Sequence, residues 1–312
     1  MNQVLVFGCS KLTSHFTRSA ALGNLSTAYD CGIKDFDVAR SYGYGAAEAI
    51  LGDFAQTRRG AIHITGKAGI EPAYNLSNLV LQNVLRRSSH VLSKSNRGRM
   101  VKQTSFSPSS DERFSITKLK HSLQKSLREL KTSYLDRFLL HESTTETASG
   151  EEITSWLLQL RREGVIRKFG IGSYHHQVKS TIKELPNCYQ VLQIDCSFPE
   201  PFCLPLETIA EKDLFLFSPF SHFTQIQQLI RNNRAIKKDL DIACGFDVVD
   251  HAIALFLIQP MLVSDRAHVL FSSRNNQNIR KTVSEFEFLK KHLYTFRPNV
   301  EILRKLLETI NQ

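Results

Sequence analysis

Residues 34–52 read KDFDVARSYGYGAAEAILG, and their reading decides the fold. The stretch opens as a short strand, Asp35 to Ala39. It breaks at a turn of small and aromatic residues, Ser41-Tyr42-Gly43-Tyr44-Gly45, and resumes as a helix from Ala46 to about Phe54. An ionisable Asp37 sits inside the apolar strand, and Tyr42 follows where the strand has ended. In α/β proteins, chemistry collects at the carboxyl ends of strands.

Working outward, the same strand-then-helix rhythm recurs. Val4 to Phe7 is a first strand ending in Gly8-Cys9, and Arg18 to Cys31 reads as a helix stopped by Gly32. Ala61 to Thr65 is a third strand, with Lys67 just past its end. Residues 71–114 break the rhythm, because βα connections usually take about 2–6 residues. They read as an insertion, with an amphipathic helix at Leu76 to Leu92 and a Ser-rich basic tail. The insertion carries seven Lys/Arg against three Asp/Glu and reads equally as a surface loop or a lid.

Ser115 is placed to cap a helix from Ile116 to Leu130, whose apolar residues repeat at spacings of 3, 4, 4 and 3. Strand four is YLDRFLL, with His141 at its carboxyl end, and the helix Glu151 to Glu163 buries Ile153, Trp156, Leu157 and Leu160. Strand five (IRKFGIG) leads to Ser173, then to a helix from about His176 to Leu185. Strand six is VLQID, followed by a helix around Leu206 to Lys212, and strand seven is LFLF. An apolar helix from Asp247 to Gln259 ends at Pro260, before strand eight, HVLFS. Helices at Gln277 to Lys290 and Pro298 to Ile310 close the chain.

Eight strands, each followed by a helix, give a single (β/α)8 TIM barrel over residues 1–312 with a long insertion after strand 3. A doubly wound sheet would carry a Gly-rich phosphate loop after its first strand, and GCSKLTSHF holds one glycine there.

Composition narrows the class. The chain has 312 residues, 42% hydrophobic and 22% charged, as expected of a globular protein. No run of about 18 apolar residues exists to cross a membrane. The N-terminus, MNQVLVFGCS, reads as a strand rather than a signal peptide. Six scattered cysteines without a C-x-x-C argue for a reducing, cytoplasmic setting and against zinc or disulfides. The net charge of +10 reads as a solvated basic surface rather than a nucleic-acid footprint, since no nucleic-acid motif accompanies it.

Asp37, Tyr42, Lys67 and His141 fall at or just beyond the ends of strands two, three and four, which a barrel gathers into one cluster. Such a cluster suits carbonyl reduction. The alkoxide left by hydride needs a proton, which a phenol can donate. A free tyrosine has a pKa near 10, and a neighbouring lysine is expected to lower it. An aspartate holds the lysine, and a histidine can bond the carbonyl oxygen or relay the proton. The hydride must come from a cofactor.

The stretch FDVARSYGYGAAEAILG resembles the signature of the aldo-keto reductase family, in which an Asp precedes Tyr-Gly by five residues and a Glu and Leu-Gly follow. ITGKAG, SYLDRFLLHE, GVIRKFGIGS, LQID, FSPF and VLFSSRNNQNIRKTV follow in the family's order, so the resemblance runs from about Val4 to Ser284. It implies Tyr42 as proton donor, Lys67 and Asp37 as its tuners and His141 as the orienting residue. It implies that Ser173 and Gln193 hold the nicotinamide carboxamide, Phe217 stacks on the ring and Ser218 meets the pyrophosphate. Ser273, Arg274 and Asn278 would grip the adenosine phosphate.

The chain departs from the pattern at Tyr174, where the family has Asn, and at Ser272, where it often has Lys. Asn278 replaces a frequent Arg, and Lys281-Thr282 replaces the Glu-Asn pair that commonly meets the adenine. Arg274 could bond a 2′-phosphate, and family habit with the basic charge favours NADP(H) over NAD(H). The expected activity is NAD(P)H-dependent interconversion of an aldehyde, ketone or sugar with its alcohol, by a monomer or weak homo-oligomer. Substrate choice is assigned to the insertion, to Ser143 to Gly150 and to Phe198 to Leu204, with Phe198, Phe202 and Phe220 as an apolar or sugar-stacking wall. The alternative is a nucleotide-binding regulatory barrel with little or no turnover.

Overall fold

The computed structural model describes residues 3–14, 17–72, 110–197, 204, 206–264 and 266–296. Eight parallel strands close into a barrel in sequence order. They are β1 Leu5–Gly8, β2 Asp35–Asp37, β3 His63–Ala68, β4 Leu135–His141, β5 Ile166–Ser173, β6 Val191–Asp195, β7 Asp213–Phe217 and β8 Ala267–Phe271. The barrel closes where Val6 of β1 pairs with Leu270 of β8. The helices that matter below are α1 Arg18–Asp30, α2 Ala46–Ala55, α3 Ile116–Glu129, α4 Glu151–Arg162, α5 His175–Val178, α6 Leu206–Ile209, α7 Phe223–Asn232, α8 Arg234–Cys244, α9 Ala252–Val263 and α10 Asn276–Thr295.

Side chains alternate along each strand, so every second residue enters the barrel. The outward set packs on the helices: Phe36 meets Phe54 of α2 at a ring-centroid distance of 5.5 Å, and Phe138 meets Trp156 of α4 at 6.1 Å. The inward set stacks in layers. At the amino-terminal end lie Asp35, Arg137, Lys168, Asp213 and His268. An apolar layer of Val6, Leu139, Val191, Phe215 and Leu270 follows. Above it come Asp37, Lys67, His141, Gln193 and Phe217.

Several elements differ from the sequence expectations. Lys67 lies inside β3, which runs on to Ala68, rather than beyond its end. β2 stops at Asp37, before Ala39. The helix expected over 176–185 is replaced by the short α5 and a 3-10 turn, Ile182–Glu184. The helix expected from Asp247 is α9, and it takes in Pro260 near its end. Proline there loses one N–H bond close to the terminus, where the helix has least to lose. Ser115 precedes α3, but its side chain makes no capping hydrogen bond. Helices α7 and α8, between β7 and β8, were not read from the sequence at all. The expected helices at Leu76 to Leu92 and Pro298 to Ile310 lie outside the described residues, as does most of the insertion.

Candidate active site

The turn carrying Tyr42 is built by its neighbours on both sides. Arg40 and Glu48, 3% and 0% exposed, form a buried ion pair that clips the entry of the turn to α2. Between them, Gly43, Tyr44 and Gly45 take φ of 56°, 55° and 91°, the left-handed region that favours glycine. Gly43 has a second constraint, because a Cβ there would lie 2.0 Å from the Thr13 side chain. Gly52, inside α2, lets α3 approach: a Cβ would fall 2.1 Å from the Glu129 carbonyl oxygen. The glutamate and glycine of the 34–52 stretch thus hold the turn and the helix behind it, and neither touches the cavity.

The turn sets Tyr42 over the top of the barrel, where the four sequence-predicted residues meet. Lys67 Nζ lies 2.9 Å from Asp37 Oδ1 and donates to Tyr42 Oη at 2.9 Å. The Tyr42 and His141 rings meet edge to face, 6.0 Å between centroids. Asp37 and Lys67 are buried, while Tyr42 and His141 are half-buried and line a cavity of about 560 Å³.

The electrostatics correct one sequence expectation. Burial raises the Tyr42 phenol above its ordinary value, and Lys67 offsets this only in part, with Asp37 and Cys9 working against it. The phenol therefore stays protonated at neutral pH, as a proton donor must. Burial works against the Lys67 ammonium, yet Asp37 and Tyr42 together carry it above the usual lysine range, so it stays charged. Burial, then Lys67 and Arg113, drive the His141 imidazole well below its usual value, leaving it neutral. A neutral imidazole carries one N–H, which it can donate to a carbonyl oxygen. Cys9, at the end of β1, is fully buried beside this group, and burial pushes its thiol up, so it is inert.

The expected cofactor residues line one continuous slot. Ser173, Gln193, Phe217 and Ser218 line the cavity with Tyr42. Ser273, Arg274 and Asn278 line a second cavity of about 790 Å³, and Lys11, Phe220, Phe271 and Ser272 border both. Three of these side chains already have protein partners. Ser173 Oγ donates to Gln177 Oε1 at 2.8 Å, and Ser273 Oγ closes a turn on Asn275. Gln193 Nε2 donates to Asp37 Oδ2 at 2.7 Å, a contact that the expected carboxamide role does not include. Tyr174 meets Phe217 edge-on at 5.7 Å and stacks on His176.

Sequence reasoning missed Lys11, which reaches the Ser272 carbonyl oxygen at 3.3 Å and stands where the two cavities join. It also missed Lys281 as a cation facing the slot, reading that position only as a lost glutamate. The one signal for Lys11 was its place three residues after the first strand. Phe198 and Phe202 lie outside the described residues, while Phe220 lines the cavity as expected.

Comparison with known proteins bears on this arrangement. The profile described as Aldo/keto reductase family matches residues 4–215. An uncharacterized oxidoreductase of Bacillus subtilis, YqkF, is 30% identical over 194 residues, 61% of this chain. That stretch is 50% of YqkF, so the chain spans about half the length of that relative. Among solved structures, the holo form of the aldo-keto reductase AKR11C1 from Bacillus halodurans superposes with a TM-score of 0.60 at 17% identity, covering 98% of this chain and 91% of that one. An aldo-keto reductase from Klebsiella pneumoniae in complex with NADPH gives 0.58 at 16% identity, over 95% and 91%. At such identities the two structures speak for the barrel.

Proposed function

Because the chain belongs to the aldo/keto reductase family, we propose that it is an NADP(H)-dependent oxidoreductase interconverting a small aldehyde, ketone or sugar with its alcohol, Tyr42 acting as general acid and base. The observation that carries this reading is Lys67 Nζ at 2.9 Å from both the Asp37 carboxylate and the Tyr42 hydroxyl. Tyr42 Oη gives its proton to the oxygen of the reduced carbonyl. The charged Lys67 stabilises the phenolate left behind, and Asp37 keeps Lys67 in place. The neutral His141 holds the carbonyl oxygen beside Tyr42.

The slot fits a nicotinamide cofactor, which would supply the hydride. Among the described residues lining its far end, Lys11, Arg274 and Lys281 are charged and none is acidic. Such a lining attracts a phosphate-rich ligand, and Arg274 offers a fork for a 2′-phosphate. Ser173 and Gln193 would hold the carboxamide, Phe217 would stack on the ring, Ser218 would meet the pyrophosphate, and Ser273 and Asn278 would flank the adenosine phosphate. NADPH bound to the Klebsiella pneumoniae relative agrees with this choice. The unpaired state of Cys9, Cys31, Cys188, Cys196 and Cys244 agrees with a cytoplasmic, reducing setting.

The departures at Tyr174, Lys281 and Thr282 favour a second reading, a regulatory barrel that binds nucleotide with little turnover. The complete Asp37–Lys67–Tyr42–His141 group weighs against it. The test is titration with NADPH and, separately, NADH, followed by the nucleotide's own fluorescence, then a panel of carbonyls. Micromolar NADPH binding at least 10-fold tighter than NADH is expected, with Arg274→Ala reducing that ratio. Binding without reduction of any carbonyl selects the regulatory barrel, and no binding of either overturns both.

A further inference from the structure

Gln193 stands on β6, across the barrel from Asp37 on β2. The two side chains are 2% and 0% exposed, and Gln193 Nε2 donates to Asp37 Oδ2 at 2.7 Å. The other carboxylate oxygen, Oδ1, faces Lys67 Nζ at 2.9 Å. An ionised carboxylate only accepts hydrogen bonds, so the amide must turn its NH2 group toward Asp37. Its carbonyl oxygen then lies along β5, where a Cβ on Gly172 would approach it to 3.3 Å. Gln193 also borders the cavity above Tyr42. One rigid amide therefore touches the carboxylate and the cavity wall at once.

We propose that Gln193 is a positioning residue for the proton donor: its amide fixes the Asp37 carboxylate so that Oδ1 stays on Lys67, and Lys67 on Tyr42. The proposal rests on reading Tyr42 as the proton donor, with Lys67 and Asp37 tuning it. Lys67 meets Oδ1 as an ion pair outside hydrogen-bond geometry, and a buried carboxylate without a donor is costly, so Asp37 without Gln193 would turn to share both oxygens with Lys67. Lys67 would then be drawn off the Tyr42 hydroxyl. The carboxamide role leaves this link out, since it concerns only the cavity side of the amide.

The test replaces the donor by an acceptor of the same shape, Gln193→Glu, in cofactor-free protein with carbon-13-labelled carboxyl groups. Among the described residues, the ionisable neighbours of Asp37 are Lys67, Tyr42 and Cys9, all retained in the variant. Two carboxylates sharing one proton titrate apart, so one signal should move well above the ordinary glutamate value of about 4.3. Adding Asp37→Asn should bring it back down. At saturating cofactor, the kcat of Q193E relative to wild type should be highest at pH 5, where a protonated glutamate still donates to Asp37. That ratio should fall by a further factor of about 10 or more by pH 8, whereas Gln193→Leu should be slow throughout with no such pH dependence.

An ordinary titration at position 193, unchanged by D37N, together with a raised cofactor Kd and unaltered kcat, would overturn the proposal and leave Gln193 a carboxamide ligand alone. If Q193E does not fold, Q193L carries the same reading: the Asp37 carboxyl carbon-13 signal at neutral pH should move from its wild-type position with the loss of the amide donor, and no change refutes the link. These titrations need no turnover, so a wild-type protein that reduces no carbonyl counts against the proposed function, while the carboxyl signals judge the Gln193–Asp37 link by itself.

Discussion

Asp35 and Asp37 are two residues apart on one strand, point into the same barrel and serve opposite ends of it. Asp35 sits at the amino-terminal end, where Arg137 donates to it at 2.6 Å and His63 approaches at 3.4 Å. Arg137 lies over the Phe215 ring at 4.6 Å, and His268 packs on the same ring at a centroid distance of 4.8 Å. Lys168 and Asp213 complete that layer as an ion pair. Every charge there is answered by a fixed neighbour, and the layer plugs the barrel. Asp37 is as deeply buried and also paired with a cation, but its cation passes the interaction on to a half-buried phenol facing a cavity. A salt bridge at the closed end supports the fold, and under the proposed function the same chemistry at the open end serves proton transfer.

The largest expected effect is at the open end. Tyr42→Phe should lower carbonyl reduction by about 10³-fold, within the usual span of general acid catalysis, while cofactor Kd and Tm hold. A surviving rate would remove the phenol from its role. Next comes the plug: Asp35→Asn leaves the largely buried Arg137 without its carboxylate and should cost about 3 kcal/mol of stability in denaturant unfolding, with kcat unchanged. Loss of activity in the folded D35N protein would break the division between the two ends.

Lys67→Met should slow reduction by about 10²-fold. It also removes the influence that lowers Tyr42, so the basic limb of the pH–rate profile, already above the ordinary tyrosine value of about 10, should move higher. Reduction needs the protonated phenol, so activity falls as pH rises through that limb. An unmoved limb would deny the Lys67–Tyr42 coupling.

The smallest effects are in stability against pH. Burial works to raise Asp35, but His63 and Arg137 hold it below 3.8, so its contribution is present above that value and is lost as pH falls through the folded-state pKa. The Asp35 partnership raises His63 above 6.5, so its contribution is complete below that value and fades as pH rises through the folded-state pKa. His63 is half exposed, and His63→Asn should cost less than about 1 kcal/mol at pH 6 and still less at pH 8. A larger loss at pH 8 would reverse the sign assigned to the pair.

The barrel was legible because β-strands and helices alternate in hydrophobic pattern, and because punctuation at Gly32 and Gly164 marks where units end. Helices α7 and α8 escaped because their apolar residues lie in single narrow stripes separated by one residue at Asn233. Lys67 was placed just past the strand rather than inside it because β3 continues through small, non-periodic residues, Gly66 and Ala68, whose strand geometry is imposed by pairing with β4. Lys11 was invisible because a lysine after a first strand looks like any solvated lysine until β8 is laid beside it.

By itself the sequence determined the strand count, the parallel barrel and the identity of the four residues at its mouth, because burial periodicity and residue chemistry are local properties. Only the tertiary structure decided their protonation and partners. Burial outweighs Lys67 at Tyr42, Arg113 adds its charge against His141, and Gln193 reaches Asp37 from a strand 156 positions away. Those outcomes depend on desolvation and on contacts across the barrel, which exist only once the sheet has closed.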